Sequence, residues 1–473
     1  MAAKSSLDQV LDKKLTFALA ERIGVPVPRS QLVATPDDLP RLSDWCSFPV
    51  VVKPGSSMGE SSELGRAQLK VEYAFDAGQL QKLVRNALNY GEVILQEYVA
   101  GVGAGIEVLA SEGRVLFHFQ HQRLHEVPLT GGGSSLRKSV AVTPQLLEAT
   151  GKLIEALNWT GVAMVEFKQD LASGQFSLME VNGRFWGSLP LAEAAGADFP
   201  GMLYELLVGQ QTEFPQSYQT EVHCRRLTAD VHWYELALRK AAPPQLGVVP
   251  SRKTMWRDFL GMFSPRHRFD VQKLADPLPG LLELLWLGRD YCERLYGVLR
   301  RRQALRREKQ RCAAGGSLEG ALSGAENLLF LCYGNINRSA VAGLLAKQLM
   351  PNLAEHVRSA GFHPASGRPM DGVMQQVAHS NGLATDNFAS SALSATEVAA
   401  ADVIFVMELE HLVTLSEQFP WVSSKAFLLG GLAAGSGPLE IADPYGKSRD
   451  DYEGCYRQVA ANIAALQARM EAA

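Results

Sequence analysis

Cysteine is scarce in this chain, six residues in 473, and no two of them form a CxxC pair. Cys46, Cys224, Cys292, Cys312, Cys332 and Cys455 are too scattered for a disulfide framework, which excludes a small secreted scaffold and points to a reducing compartment. No apolar run reaches membrane-spanning length and no signal-peptide pattern opens the sequence, so a cytoplasmic protein is expected. An excess of one charge is missing too: 46 Lys and Arg stand against 50 Asp and Glu, a net charge of −4. That balance argues against a dedicated nucleic-acid binder and leaves small molecules or proteins as partners. With 47% hydrophobic residues, the chain is long enough for two or three cores.

What is present begins at Cys332-Tyr-Gly-Asn-Ile-Asn-Arg338-Ser339. The apolar run Asn327-Leu-Leu-Phe-Leu331 before it reads as a buried parallel strand, and Ala340, Val341, Leu344, Leu345 and Leu349 after it read as a helix. A loop between a strand end and a helix start aims backbone N–H groups and a positive dipole end at an anion. A thiol attacks as its thiolate, which a helix start, loop amides and a guanidinium all favour; Cys332 is the candidate nucleophile. Arg338 offers a planar fork that matches two phosphoryl oxygens and holds the charge of a transferring group. Ser339 can donate its hydroxyl to the thiolate, Asn335 braces the loop, and Gly334 lets it bend. The leaving oxygen needs a proton, and Asp443-Pro444-Tyr445 supplies the acid, between a strand-like run (Ala426, Phe427, Leu428, Leu429) and a helix from about Tyr452 to Met470.

Residues 326–473 resemble a low-molecular-weight protein tyrosine phosphatase, through the Cys332 loop, Ser359-Ala360-Gly361, Val406-Met407-Glu408 and Asp443-Pro444-Tyr445. The resemblance implies a flavodoxin-like doubly wound parallel sheet, a phosphocysteine intermediate on Cys332, Asp443 as acid and then base, Tyr445 as a candidate substrate contact, and no cofactor. Phosphotyrosine protein or a small phosphomonoester is the implied substrate. Asn337 stands where the family often has a second cysteine, which excludes a protective disulfide by that route, and Ala340 replaces the usual proline. Residues 333–454 contain no cysteine, which argues against the arsenate reductases that share the loop.

The first two hundred residues carry a second chemistry. One amphipathic helix (Leu7, Leu11, Leu15, Leu19, Ile23) is expected to end at Gly24. Phe48-Pro-Val-Val-Val-Lys53 reads as a strand delivering a lysine to a loop rich in Gly and Ser (Gly55, Ser56, Ser57, Gly59, Ser61, Ser62), a phosphate cradle. Val93-Ile-Leu-Gln-Glu97-Tyr98-Val99 reads as another strand, whose Glu97 and following backbone can read an adenine edge. Gly161–Lys168 and Phe176–Asn182 read as a hairpin turning through 170–174, which sets Glu166 opposite Glu180. Opposed carboxylates repel unless a divalent cation sits between them, and Asn182, two residues on, adds a third oxygen. Arg184 is placed on the same face, facing phosphate or a substrate carboxylate.

Lys53, Glu97, Glu166, Glu180, Asn182 and Arg184, in this order, resemble an ATP-grasp domain of the carbamoyl phosphate synthetase and carboxylate-amine ligase kind, over roughly residues 7–210. The resemblance implies a two-lobed α+β domain holding ATP with Mg²⁺ or Mn²⁺, an acyl phosphate, and attack by an amine-type acceptor. Arg123, in His121-Gln-Arg123-Leu-His125, and the glycines of 131–133 fit the same group, with Arg123 facing phosphate or acceptor. The usual preceding domain is not in this sequence, so the acceptor side is either completed by another chain or absent, the latter making the domain a nucleotide sensor.

Residues 211–325 are read as a helical appendage and linker. Trp233, Trp256, Phe259, Phe263 and the leucine run 278–287 are expected to pack on the grasp domain. Arg300, Arg301, Arg302, Arg306, Arg307, Lys309 and Arg311 form a basic helical face, solvated or in contact with anionic lipid, and 313–317 has linker composition. The whole is a bifunctional fusion, α/β and α+β; the alternative is a phosphatase controlled by a non-ligating grasp domain.

Overall fold

The structure, a computed structural model, describes residues 2–35, 37–38, 47–54, 58–61, 65–68, 71–313, 316–433 and 438–472, and for 58–61 and 65–68 the backbone alone. Cys46 and most of the proposed cradle, from Gly55 to Ser57 and at Ser62, lie outside the described residues. The chain divides into two compact units, Met1–Gly288 and Arg289–Ala473.

The first unit opens with two helices, α1 (Lys4–Leu11) and α2 (Lys13–Arg22), where one was expected. Asp12 takes an extended conformation between them and caps the second, accepting the Lys14 N–H at 2.8 Å. The capping carboxylate outweighs the continuous apolar stripe. A first sheet follows: β1 (Ser30–Val33), β2 (Val50–Pro54), β5 (Glu72–Ala74) and β6 (Val93–Glu97) in the order β1-β6-β2-β5, beside the small ribbon β3 (Met58–Ser61) and β4 (Gly65–Gln68). Helix α3 (Ala77–Leu88) covers one face through Leu80 and Val84, which pack with Val50, Val52, Val93 and Leu95.

The second sheet is larger: β7 (Val102–Ser111), β8 (Arg114–Val127), β9 (Gly133–Ser139), β10 (Gly161–Gln169), β11 (Phe176–Asn182), β12 (His223–Arg225) and β13 (His267–Phe269). Its order is β11-β10-β7-β8-β9-β12-β13, so strands past residue 210 are part of it. One face is covered by α1, α2 and α4 (Pro144–Ala156), with Ile106, Val108, Ala163, Val165 and Phe167 in its core. The other face is divided. Leu109, Phe117, Phe119, Val162 and Met164 pack with α5 (Leu189–Ala194) and α6 (Phe199–Leu207); farther along the same strands Glu107, His121, Arg123, Glu166 and Lys168 replace them by the two-residue period. Apolar side chains close half of this face and leave the other half for polar chemistry.

Beyond the sheet lie α7 (Leu227–Leu238) and α8 (Arg252–Gly261); the 36-residue α9 (Pro277–Cys312) contains the division between the units at Gly288. Buried ion pairs fix this part to the sheet: Arg137 to Asp270 at 2.6 Å, His125 to Asp230 at 2.7 Å, and Arg225 to Asp230. His125 also stacks on Trp233, ring centroids 3.4 Å apart. Trp233 is buried as expected, but Trp256, Phe259 and Phe263 face solvent, as do Leu278, Leu281, Leu282, Leu284, Leu285 and Trp286 of the leucine run.

The second unit is a parallel sheet of β14 (Leu328–Cys332), β15 (Val357–Gly361), β16 (Val403–Val406) and β17 (Ala426–Leu428), in the order β15-β14-β16-β17. Helices α11 (Arg338–Leu349), α12 (Gly372–Ser380) and α15 (Arg449–Ala472) pack against the core that holds Phe330, Phe405 and Phe427. The other face meets Leu415 of α14 (Leu409–Gln418) and Val398 of α13 (Ala395–Ala400). Parallel strands buried on both faces explain their unbroken apolar runs. The residues read as linker contribute a short helix, α10 (Ser317–Leu322), whose Leu318 and Leu322 are buried in this core. The basic face is partly engaged: Arg301 pairs with Glu440 at 2.7 Å, and Arg311 donates to Glu308 and to the Ser423 carbonyl, both at 2.7 Å. Leu318→Ala should lower the unfolding free energy of this unit by about 2–4 kcal/mol in urea denaturation, whereas a linker leucine would give no measurable change.

Candidate active sites

Cys332 ends β14, and the next residues close a ring around its sulfur. The Asn335 N–H donates to Sγ at 3.2 Å, and the Ser339 hydroxyl lies 2.9 Å from it. Asn335 holds a positive φ of 50°, a conformation that asparagine tolerates better than most residues. Its side chain locks the loop both ways, Nδ2 donating to Ser339 Oγ at 2.9 Å and Oδ1 accepting the Ser391 N–H at 2.8 Å. Below the loop is Gly361, where a Cβ would stand 2.7 Å from the Tyr333 carbonyl. The Ser359-Ala360-Gly361 match thus has a steric reason. Arg368 donates to the Gly334 carbonyl at 2.6 Å and supports the loop from outside.

Arg338 is buried at the start of α11. One terminal nitrogen donates to Glu408 at 2.7 Å and to the Ile441 carbonyl at 3.0 Å, the other to Asp443 at 2.6 Å. Burial alone would lower its pKa, but Cys332, Asp443 and Glu408 together hold it above the ordinary value. Asp443 is partly exposed, with its other oxygen accepting the Tyr445 N–H at 3.1 Å, and Tyr445 itself is exposed. Thus Cys332, Gly334, Asn335, Arg338, Ser339 and Asp443 come together as the sequence led one to expect. Glu408, noted there only as part of a motif, is the added member. Burial pushes the Cys312 and Cys455 thiols up to about 11 and about 12, so both stay protonated at neutral pH.

In the first unit, the hairpin register places Glu166 directly opposite Glu180. Asn182 Nδ2 donates to both, at 3.3 Å and 3.0 Å. Two cations compensate the pair: Arg123 meets Glu166 at 2.5 Å and Lys13 meets Glu180 at 2.9 Å. Burial raises the pKa of Glu166 against the pull of Arg123, and the facing Glu180 raises it further. For Glu180, burial acts in the same direction but Lys13 and Asn182 outweigh it, and its pKa falls. Lys13 gave no signal in the sequence, since its place follows from the break at Asp12.

Lys53, at the end of β2, reaches the Gln96 side chain rather than Glu97. Burial and the neighbouring Lys13 lower its pKa to about 8, with Glu180 opposing. Glu97 is exposed and, by strand alternation, on the opposite face of β6 from Gln96. Tyr98 packs edge-on against Tyr73, whose hydroxyl donates to the Thr130 carbonyl at 3.1 Å; half-buried Val99 follows. Arg184 departs from expectation: the strand ends at Asn182, the alternation ends with it, and the exposed guanidinium donates to the Phe185 carbonyl at 2.9 Å. A pair the sequence did not single out adjoins the hairpin carboxylates. His121 meets Glu107 at 2.5 Å, both fully buried, lying over Gly105, where a Cβ would stand 2.3 Å from the imidazole.

Among the described residues no group of three or more His, Cys, Asp or Glu could hold a metal. Glu166, Glu180 and Asn182 still fit a hard divalent cation as a set of two carboxylates and one amide, because turning the Asn182 amide exchanges its nitrogen for an oxygen. Such an ion draws its remaining ligands from water or phosphate.

A cysteine held by a loop amide and a serine hydroxyl at the carboxyl end of a parallel strand, with a buried arginine joining it to an acid, defines a phosphomonoesterase site. The model of the low molecular weight phosphotyrosine protein phosphatase family matches residues 327–473. The low molecular weight protein-tyrosine-phosphatase Wzb of Salmonella typhi is 35% identical over 129 residues, 27% of this chain and 83% of that protein. The related Etp of Escherichia coli K12 is 33% identical over 130 residues, 28% of this chain and 84% of that one. Through its C-terminal unit the chain belongs to the low molecular weight phosphotyrosine protein phosphatase family. A second model, for ATP-grasp in the biosynthetic pathway with Ter operon, matches residues 89–229, so the chain also carries an ATP-grasp domain. Among solved structures, biotin carboxylase of Campylobacter jejuni covers 46% of this chain and 50% of its own, at 17% identity and a TM-score of 0.37.

Asn335→Ala should destabilise the second unit by about 2–4 kcal/mol, the sum of its side-chain hydrogen bonds and the positive-φ cost. Asn335→Gly should recover about 1 kcal/mol of that, because glycine accepts the φ. Denaturant midpoints of the two variants check the order.

Proposed function

We propose that the C-terminal site hydrolyses phosphate monoesters through a phosphocysteine, and the observation that carries this is the Asn335 amide and Ser339 hydroxyl on the Cys332 sulfur. The thiolate attacks phosphorus, forming a P–S bond as the P–O bond to the leaving group breaks. Asp443 gives its proton to the departing oxygen. Water then attacks the phosphocysteine, Asp443 takes a proton from that water, the P–S bond breaks, and orthophosphate leaves with the thiolate restored. Arg338 binds the equatorial oxygens in both steps, which requires its contact with Asp443 to be exchanged for one with the phosphoryl group. The substrate class is an aryl phosphate, phosphotyrosine or a small phosphomonoester, with Tyr445 at the rim beside it. Hydrolysis of p-nitrophenyl phosphate should vanish in Cys332→Ser, and a serine variant retaining activity sinks the mechanism. In Asp443→Asn the rate should fall about 10²–10⁴-fold, less for esters whose leaving group needs no proton.

For the first unit we propose a MgATP-dependent ligase of the carboxylate-amine type, carried by the opposed Glu166 and Glu180 with Asn182. A divalent cation held by these three would neutralise nucleotide phosphates, with Mn²⁺ an alternative to Mg²⁺. Lys53 and Arg123 stand beside them for phosphate, and the Glu97–Val99 segment lies at the connection between the two sheets, where an adenine edge would be read. Arg184 reaches a ligand only by leaving its own backbone contact. The substrates are a small carboxylate and an amine-type acceptor. Lys13 favours a second reading, nucleotide binding without ligation, because it already compensates Glu180. ATP should be consumed only when an acceptor pool is added, and Glu180→Ala should abolish that consumption; binding without turnover across a broad pool supports the sensor instead. The charged form of Lys53 is lost as pH rises through about 8. ATP affinity measured calorimetrically should therefore weaken from pH 7 to pH 9.5 and lose that dependence in Lys53→Met.

A further inference from the structure

Helix α8 turns its apolar residues the wrong way for a helix that only packs on its own unit. Ser251 caps it, its Oγ accepting the Thr254 N–H at 3.1 Å, and Met255 is buried in a cluster with Trp233, Ala237 and Leu129. The remaining large side chains face outward: Trp256 is 65% exposed, Leu260 62% and Phe263 78%, and Leu238 at the end of α7 is 70% exposed. Trp256, Phe259 and Phe263 form a run of edge-on rings, with centroid separations of 5.9 and 6.1 Å. Trp256 and Phe259 border a hollow of about 230 Å³ lined also by Tyr234, Leu238, Arg252 and Met255.

Positive charge surrounds this apolar surface. Arg252, Lys253 and Arg257 lie on α8, Arg266 and Arg268 follow it, and Arg239 and Lys240 end α7, all exposed. The acid of α8, Asp258, is already paired, with His125 at 3.2 Å and Arg257 at 3.0 Å. Glu235 is paired with Arg239 at 2.8 Å.

We propose that α8 and the end of α7 form a docking surface for an anionic lipid bilayer. Exposed Trp, Phe and Leu ringed by Lys and Arg is the composition that lies in a membrane interface, apolar groups entering the acyl boundary and cations meeting the headgroups. A second copy fits poorly: in a two-fold contact the same patch faces itself, bringing the cations of both copies together. Among the described residues no helix is long and apolar enough to cross a membrane, so the contact is peripheral. The surface differs from the arginines of 300–311, two of which are tied to Glu440 and Glu308.

The test is co-sedimentation of the full chain with vesicles of phosphatidylcholine alone or with about a third phosphatidylglycerol. The expected result is binding at least about tenfold stronger to the anionic vesicles, lost as salt is raised from about 0.1 M to about 1 M. Trp256→Ser with Phe263→Ser, and separately Arg252→Glu with Lys253→Glu, should each abolish it while aryl phosphate hydrolysis stays at the wild-type rate. The proposal is overturned by absent binding, by equal binding to both vesicle types, or by binding that survives both double substitutions. A dimer in analytical ultracentrifugation that either double substitution dissolves would also overturn it, assigning the patch to a second copy.

Discussion

Two carboxylates facing each other across a β-hairpin cannot both stay ionised in a half-buried site without positive charge beside them, and the N-terminal unit is arranged around that constraint. Glu166 and Glu180 are brought into register by the hairpin itself, so their repulsion is a cost of the topology. Arg123 comes from β8 of the same sheet to one and Lys13 from the N-terminal helices to the other. The break between α1 and α2 puts Lys13 at the start of a helix instead of within one. Lys53 is drawn into the same balance, its depressed pKa arising first from burial and then from Lys13. A site so poised changes its electrostatics when a divalent ion and a polyphosphate arrive together. On the proposed reading the ion would relieve the carboxylates, and the phosphates would give Lys13, Lys53 and Arg123 a new partner.

The C-terminal unit meets the opposite constraint, a buried cation held ready for an anion. Glu408, Asp443 and the Ile441 carbonyl occupy the Arg338 fork. Glu408 and the carbonyl share one nitrogen, while Asp443 takes the other. Catalysis on the proposed route needs Asp443 to act on the leaving oxygen, so the contact that must be exchanged involves the residue that must be released. Substrate binding and freeing of the acid are then one event.

Local periodicity made much of this legible. Folding 161–168 onto 176–182 about residue 173 pairs Glu166 with Glu180, and the structure holds that pair across a register shift between Glu166 and Phe167. The Cys332 loop was equally readable, since strand, loop and helix are contiguous and its members lie within eight residues. Features depending on distant packing were not. Leu318 and Leu322 sit among small residues that look like a linker, and only the core of the second unit shows why the segment is helical. Arg184 escapes the alternation because its strand ends at Asn182. Trp256 and Phe263 were assigned to a core because apolar residues usually enter one, whereas α8 buries Met255 instead.

The two sites differ in how they pay the electrostatic cost of an anion. At Cys332 the positive elements come from the protein itself, in the Asn335 amide, a helix start and one buried guanidinium, and on the proposed route they would hold the phosphoryl group. Around Glu166 and Glu180 the protein sets two carboxylates against Arg123 and Lys13, and on the proposed reading a nucleotide would bring the cation that those carboxylates hold. The first arrangement suits a single phosphoryl group within reach of a thiolate. The second suits a polyphosphate chelating a metal, and it would repel a free phosphate ester from the carboxylates themselves. On the proposed readings one chain can therefore carry both without either site competing for the other's ligand, because metal dependence would separate them before shape does.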